Sequence, residues 1–271
     1  MTLKHIQTQG DYDQTSSLIK VGGQGIFTKT IEKSLVEKEI DLAVHSLKDL
    51  PTDMPDRLAL GAVPERGPVS DVFIGFKQSD FYKLPQGAIV ASGSIRRRAQ
   101  LLAIRPDLNF VDLRGNIETR LRKLEQNRYD GIVMAEAALT RLNLNNVDYY
   151  RFTFAEVLPA VSQGAIGIQT RIGDQYLDPV LEKLNDLNTY LCVTAERAFL
   201  HRLNSGCQFP VAANAEIVEN KLNLSGLVTS MDGQTILKDT LSGVDTDAQQ
   251  IGIALAEKLI AQGARTLLEE G

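Results

Sequence analysis

The chain has 271 residues, 43% of them hydrophobic and 23% charged, a globular balance with room for two or three domains and little for long disorder. A formal net charge of −5 argues against a general nucleic-acid binder, whose phosphate contacts need a net basic face. No apolar run approaches the ~20 residues of a membrane span, Met1-Thr2-Leu3-Lys4-His5 has no signal-peptide core, and the three scattered histidines and two cysteines lack metal-site spacing, so a cytoplasmic protein without a metal is expected.

The first stretch, to about residue 64, opens with a strand-like segment at 3–8 and a polar loop at 10–17. The glycine-rich run Val21-Gly22-Gly23-Gln24-Gly25-Ile26-Phe27 follows. That run has neither the Walker lysine spacing nor the dinucleotide fingerprint, so a mobile loop and a close backbone approach are equally good readings. Phe27, Ile31 and Leu35, four apart, predict a helix whose other face carries Lys29, Lys33 and Glu37. Leu42-Ala43-Val44 predicts a buried parallel strand, and strand, helix, strand makes a βαβ unit. His45, Ser46, Lys48 and Asp49 arrive together where that strand ends, just before Pro51. Ligands of open α/β sheets collect beyond the carboxyl ends of strands, which places Asp49 to meet one, with Lys48 helping to keep it ionised. A solvated turn capped by Ser46 and Asp49 is the plain alternative.

After a hinge-like stretch at 64–68, strands are expected at 88–91, 109–113 and 131–135, each followed through a short turn by a helix, at 95–104, 117–126 and 137–142. This repetition predicts a doubly wound parallel sheet. Residues 158–169 read as a linker feeding a further buried strand that returns the chain to the first domain. A helix at 187–203 precedes strands at 213–218, 221–229 and 235–241, separated by turns at Glu219-Asn220 and Met231-Asp232-Gly233. A last helix at 247–262 is opened by a Thr246/Gln249 capping-box pattern and stopped by Gly263. The expected class is α/β, with one domain at 1–64 plus 165–183, a second at 69–158, and a small α+β domain at 187–271.

Ser92-Gly93-Ser94 precedes Ile95-Arg96-Arg97-Arg98. A helix start favours an anion, and arginines in the first turn oppose the dipole, so three of them cost stability unless an anion is present. Arg114-Gly115-Asn116 repeats the theme. On the next helix Ile117, Leu121 and Leu124 form the buried stripe and Arg120 flanks it. Arg122, four residues after Glu118, reads as a solvated ion-pair partner, and Arg128 as surface. Arg96, Arg97, Arg114 and Arg120 converging on one mouth would capture a small polyanion; unconnected surface arginines are the alternative. Cys192, mid-helix beside Leu191 and Ala195, reads as inert core, and Cys207, in a loop, as a candidate attachment thiol.

Lys20-Val21-Gly22-Gly23, Ala43-Val44-His45-Ser46-Leu47-Lys48-Asp49-Leu50-Pro51, Ser94-Ile95-Arg96-Arg97, Leu113-Arg114-Gly115-Asn116, Pro159-Ala160-Val161 with Gln163-Gly164-Ala165, and Gly206-Cys207-Gln208 occur in that order. With them the chain resembles the porphobilinogen deaminase (hydroxymethylbilane synthase) family. The resemblance implies two lobes like those of periplasmic binding proteins and a small domain carrying a cofactor cysteine. It implies a cytoplasmic, monomeric transferase of tetrapyrrole and haem biosynthesis, with no nucleic-acid or membrane partner. Four porphobilinogen molecules are joined head to tail with loss of ammonia, giving hydroxymethylbilane. The primer is a dipyrromethane held by a thioether, here on Cys207. Ser46, Lys48, Ser94, Arg96 and Arg97 would hold that cofactor; Lys20, Ser92, Arg114, Arg120, Arg141 and Gln163 would bind substrate. Asp49 would hydrogen-bond pyrrole N–H groups and stabilise the cationic azafulvene formed as ammonia departs.

Departures from the family pattern are Gln24 for a lysine, Ser92 for a threonine, and Gly93 for a serine, with Ser162 and Ser205 each replacing a glycine. The family's opening strand and helix, with an Arg-x-Ser motif and a Leu-Ala-x-x-Gln segment, are missing. The expectation is a longer gene product with Met1 a misassigned start, and a first sheet short of a strand and a covering helix. A truncated inactive homologue and a non-catalytic small-anion-binding protein of the same fold are the competing readings.

Overall fold

A computed structural model describes residues 2–6, 28–126, 129–204 and 209–269. The glycine-rich run with Lys20, Arg128 (expected at the surface), and Ser205-Gly206-Cys207 lie outside the described residues. Residues 3–6 form no strand, and the rest of the strand expected there is likewise outside.

Three separate sheets organise the chain. In the first, β1 (Leu42–Ser46), β8 (Ile166–Arg171) and β2 (Leu58–Ala62) lie in the order β1-β8-β2, with β8 antiparallel to both neighbours. The returning segment at 158–169 thus feeds the strand expected of it. β1 is not the fully buried strand of a parallel pair that its apolar run suggests. Ala43 and His45 are buried while Val44 is 62% exposed, the period-two burial of a strand covered on one face only. Helix α1 (Lys29–Val36) covers that face through Leu35, packed with Ala43 and Leu58.

The second sheet has the order β5-β4-β6-β3-β7, built from β3 (Asp71–Gly75), β4 (Ile89–Ala91), β5 (Asn109–Val111), β6 (Gly131–Ala135) and β7 (Tyr150–Arg151). β5, β4 and β6 are parallel, as strand–turn–helix repeats demand, and α2 (Ile95–Ile104), α3 (Ile117–Gln126) and α4 (Glu136–Arg141) follow them. β3 adds an antiparallel strand to this core, pairing with β6 on one side and β7 on the other. Phe73 packs edge-on against Phe81, which stacks likewise on Phe152, closing one side of the sheet.

The third sheet is an antiparallel meander of β9 (Val211–Val218), β10 (Lys221–Thr229) and β11 (Ile236–Val244). After α5 (Asp178–Leu184), two helices, α6 (Leu187–Arg202) and α7 (Ala248–Ala261), cover one face, with Phe199, Leu222, Leu224 and Leu255 fully buried between them and the strands. The expected capping box at α7 does not form. Residues Asp245–Asp247 make a 3-10 turn, and Asp247 caps the helix without a side-chain hydrogen bond. Gly263, at φ +102°, ends it as expected.

The chain passes twice between the first two sheets, after β2 and before β8. The two crossings run side by side: Gly67 N–H donates to Gly164 O at 3.1 Å, and a Cβ on Gly164 would sit 2.7 Å from Gly67 O. The β10–β11 turn also reaches α2, where a Cβ on Gly233 would lie 2.1 Å from Ala99 O. All three sheets therefore meet around the crossings.

α6 and α7 approach so closely that a Cβ on Gly252 would stand 2.2 Å from Ala195 O, a backbone atom that cannot rotate away. Gly252→Ala should lower the unfolding free energy by about 1–3 kcal/mol, read from urea denaturation followed by circular dichroism.

Candidate functional site

Beyond the end of β1 the chain turns through a single 3-10 turn, Leu47–Asp49. Leu47 is fully buried, so the next residues project into a cavity of about 760 Å³. Ser46, Lys48 and Asp49 line it from the first sheet; Ser94, Arg96, Arg97, Arg114 and Arg120 from the second. The third unit supplies an apolar wall of Leu200, Phe209 and Val211. The expected convergence of arginines on one mouth is thus the observed geometry, and Asp49 shares that mouth.

A carboxylate that sequence reasoning missed organises the floor. Asp71, the first residue of β3, has no exposed surface and lies 2.7 Å from Arg96 Nη1 and 2.8 Å from Arg97 Nη2. Burial alone would raise its pKa, but Arg96 and Arg97 outweigh it and hold the carboxyl well below the usual carboxylate range. The anion expected to offset arginines in the first turn of α2 is therefore supplied by the chain itself. Its signal was faint: one acid heading the apolar run Val72-Phe73-Ile74. Arg96 Nη1 also donates to Leu158 O at 2.7 Å, and Arg97 Nη2 to Gln163 Oε1 at 3.4 Å.

Several expected ligand contacts are engaged within the chain. Gln163 is fully buried, and its amide nitrogen donates to Val69 O at 2.7 Å and Asp71 Oδ1 at 3.0 Å. Ser94 lines the cavity while its Oγ accepts from Arg97 N–H at 3.4 Å, capping α2. Ser92 is not among the lining residues. It is buried beneath them, its Oγ accepting from Ser94 N–H at 3.3 Å. Arg141 lines the cavity and donates to Gly164 O at 2.9 Å, pinning the second crossing. Arg98 points elsewhere, to Asp112 at 3.3 Å. Glu118 lines the cavity and forms no ion pair with Arg122 among the described residues, contrary to the spacing argument.

The free cations crowd one another. Arg120 Nε donates to Gly115 O at 2.8 Å, and burial, then the charges of Arg97 and Arg114, lower its pKa. Burial, reinforced by Arg97, pushes the half-buried Lys48 ammonium down to about 8, against the pull of Asp49 and Asp71. Packing like charges this closely is unfavourable until an anion enters, so the cavity favours an anionic ligand. Cys192 is buried on α6 and its thiol is pushed up to about 12 by burial and by Glu196, in keeping with an inert core residue. Cys207 and Lys20 lie outside the described residues, although Phe209, two positions beyond Cys207, borders the cavity.

Residues 1–178 match the family model "Porphobilinogen deaminase, dipyromethane cofactor binding domain", and residues 190–261 match "Porphobilinogen deaminase, C-terminal domain". The chain is similar to the porphobilinogen deaminase of Carboxydothermus hydrogenoformans, with 44% identity over 265 residues, 98% of this chain and 85% of that one. It is 46% identical over 270 residues to that of Brevibacillus brevis, covering 99% of this chain and 86% of that one. Among solved structures, a periplasmic binding protein of Salmonella typhimurium superposes with a TM-score of 0.33 at 19% identity, over 60% of this chain and 73% of that chain.

Removing the Asp71 charge leaves two buried guanidiniums facing one another. Asp71→Asn should cost about 3–5 kcal/mol of stability in guanidinium denaturation.

Proposed function

The chain belongs to the porphobilinogen deaminase family, and on that footing we propose how its cavity carries the family's chemistry. It is a transferase of tetrapyrrole biosynthesis that condenses four porphobilinogen molecules, with loss of ammonia, to hydroxymethylbilane, and its cofactor is a dipyrromethane. When bound, that group supplies the primer on which the chain is extended. We place its thioether on Cys207; the apolar residues Leu200 and Phe209, on either side of Cys207 in the sequence and both lining the cavity, support that placement.

The donor set suits such a group. Pyrroles carrying acetate and propionate side chains need guanidinium and ammonium partners at their edges and apolar surface against their faces. Lys48, Arg96 and Arg97 with Ser46 and Ser94 stand for the first task toward the cofactor. Arg114, Arg120 and Arg141 stand for it toward substrate. Lys20, Ser92 and Gln163 belong to the same expectation, with Gln163 and Ser92 acting from beneath the lining.

Asp49 is the acid of the reaction. As the carbon–nitrogen bond of the protonated aminomethyl group (–CH2–NH3+) breaks, the bonding pair leaves with the nitrogen as neutral ammonia and the positive charge passes to the pyrrole. A carboxylate fixed beside the pyrrole N–H stabilises that charge where it develops. The carrying observation is Asp49 facing a cluster of cations around one cavity in a chain of net charge −5. Three sheets support the reading of three domains at 1–64 with 165–183, 69–158 and 187–271. A cytoplasmic monomer acting on porphobilinogen, independent of nucleic acid and membrane, completes the proposal; among the described residues no helix is long and apolar enough to cross a membrane.

Asp49→Ala should lower turnover by about 10²- to 10³-fold or more, with an unchanged circular dichroism spectrum and an intact dipyrromethane adduct by mass spectrometry. Full turnover in that variant would refute the assignment. Lys48 gives a pH signature. It is charged below about 8 and neutral above, so kcat/KM for porphobilinogen should fall as pH climbs through that value. Lys48→Arg, whose charge persists, should flatten the alkaline limb.

A further inference from the structure

No described residue donates a hydrogen bond to the Asp49 carboxylate, so its aim depends on the backbone that carries it. That backbone is held at two levels. Leu47 N–H donates to Ala165 O at 3.1 Å, and Leu47 and Leu50 are buried against Val193 and Tyr190 of α6, which sets their depth. Apolar packing is non-directional and does not fix how the turn faces the cavity. Direction comes from Arg197, one helical turn beyond Val193: its Nη1 donates to Leu50 O at 2.9 Å and its Nη2 to Pro51 O at 2.6 Å.

We propose that Arg197 is a positioning residue for the reaction, clamping the two carbonyls that follow Asp49 and thereby fixing where its carboxylate points. The clamp ties the acid to α6, the helix that ends at Arg202, five residues before Cys207 in the sequence. The inference rests on the reading of Asp49 given above. A planar guanidinium suits the task because its two terminal nitrogens hold two acceptors in a fixed relation, which a single ammonium does not. Its neighbour His201, 2.9 Å from Asp53, joins the same helix to the same loop, but both side chains are largely exposed and the contact adds little.

In the holoenzyme, Arg197→Met should reduce kcat about 10- to 100-fold while KM for porphobilinogen changes less than about threefold. The adduct on Cys207 should persist. Arg197→Lys, reaching one carbonyl at a time, should fall between, and it carries the test if the Met variant does not fold. Hydrogen exchange in residues 47–53 should quicken in either variant while that of β9–β11 stays as in the wild type. Wild-type kcat, unchanged exchange at 47–53, or faster exchange spread evenly over the third sheet would overturn the proposal. Asp49→Asn keeps the two readings apart: retained turnover there strikes the assignment of the acid, whereas exchange at 47–53 still reports on the arginine.

Discussion

The site depends on one buried carboxylate. Asp71, without exposed surface, lies between two guanidiniums that are themselves nearly buried, at 2.7 and 2.8 Å. A lone ion at that depth is very costly, and a pair recovers the cost only when its hydrogen bonds are complete. Gln163, Leu158 O and Val133 O add hydrogen bonds to the group. Gln163 and Leu158 belong to the second crossing, so the arrangement that stabilises the arginines also fixes the path of the chain between the first two sheets.

Two guanidiniums and one carboxylate leave a positive excess on the cavity floor. Lys48, Arg114 and Arg120 add to it around the rim, within a chain whose overall charge is −5. Charge of one sign gathered in a low-dielectric concavity focuses the field there and leaves the remaining surface acidic. Binding strength toward small polyanions is thus separated from attraction to nucleic acid. Asp49 sets a carboxylate inside that field, which is where a developing cation needs it.

Much of the second unit was legible because its signals are local. Apolar runs bounded by Ser92-Gly93-Ser94 and Arg114-Gly115-Asn116 gave α2, α3 and β6 with their observed bounds. β10 was legible for the same reason, between two turns rich in Asn, Asp and Gly. β3 was missed because five residues opening on an acid carry little periodicity, and its antiparallel partners lie about 60 and 80 residues away. The orientation of β1 was unreadable for a related cause, since three apolar residues do not distinguish a strand covered on both faces from one covered on one. At the site, the residues that face the ligand announced themselves as arginines near glycine turns. The residues that hold the site in place, Asp71 and Arg197, act across the fold, and little in their neighbourhoods along the chain indicates that role.

Glu196, next to Arg197 on α6, is fully buried and receives Arg66 from the first crossing at 2.7 and 3.0 Å. It also accepts Ser162 N–H from the second crossing at 2.6 Å and Ala215 N–H from β9 at 2.8 Å. Any opening that pulls one of these away strands a charge or an amide in the interior. Fraying of the third sheet by itself is penalised at the hinge, and loosening of the hinge is penalised in the third sheet. The three lobes therefore share their cooperativity through a single keystone.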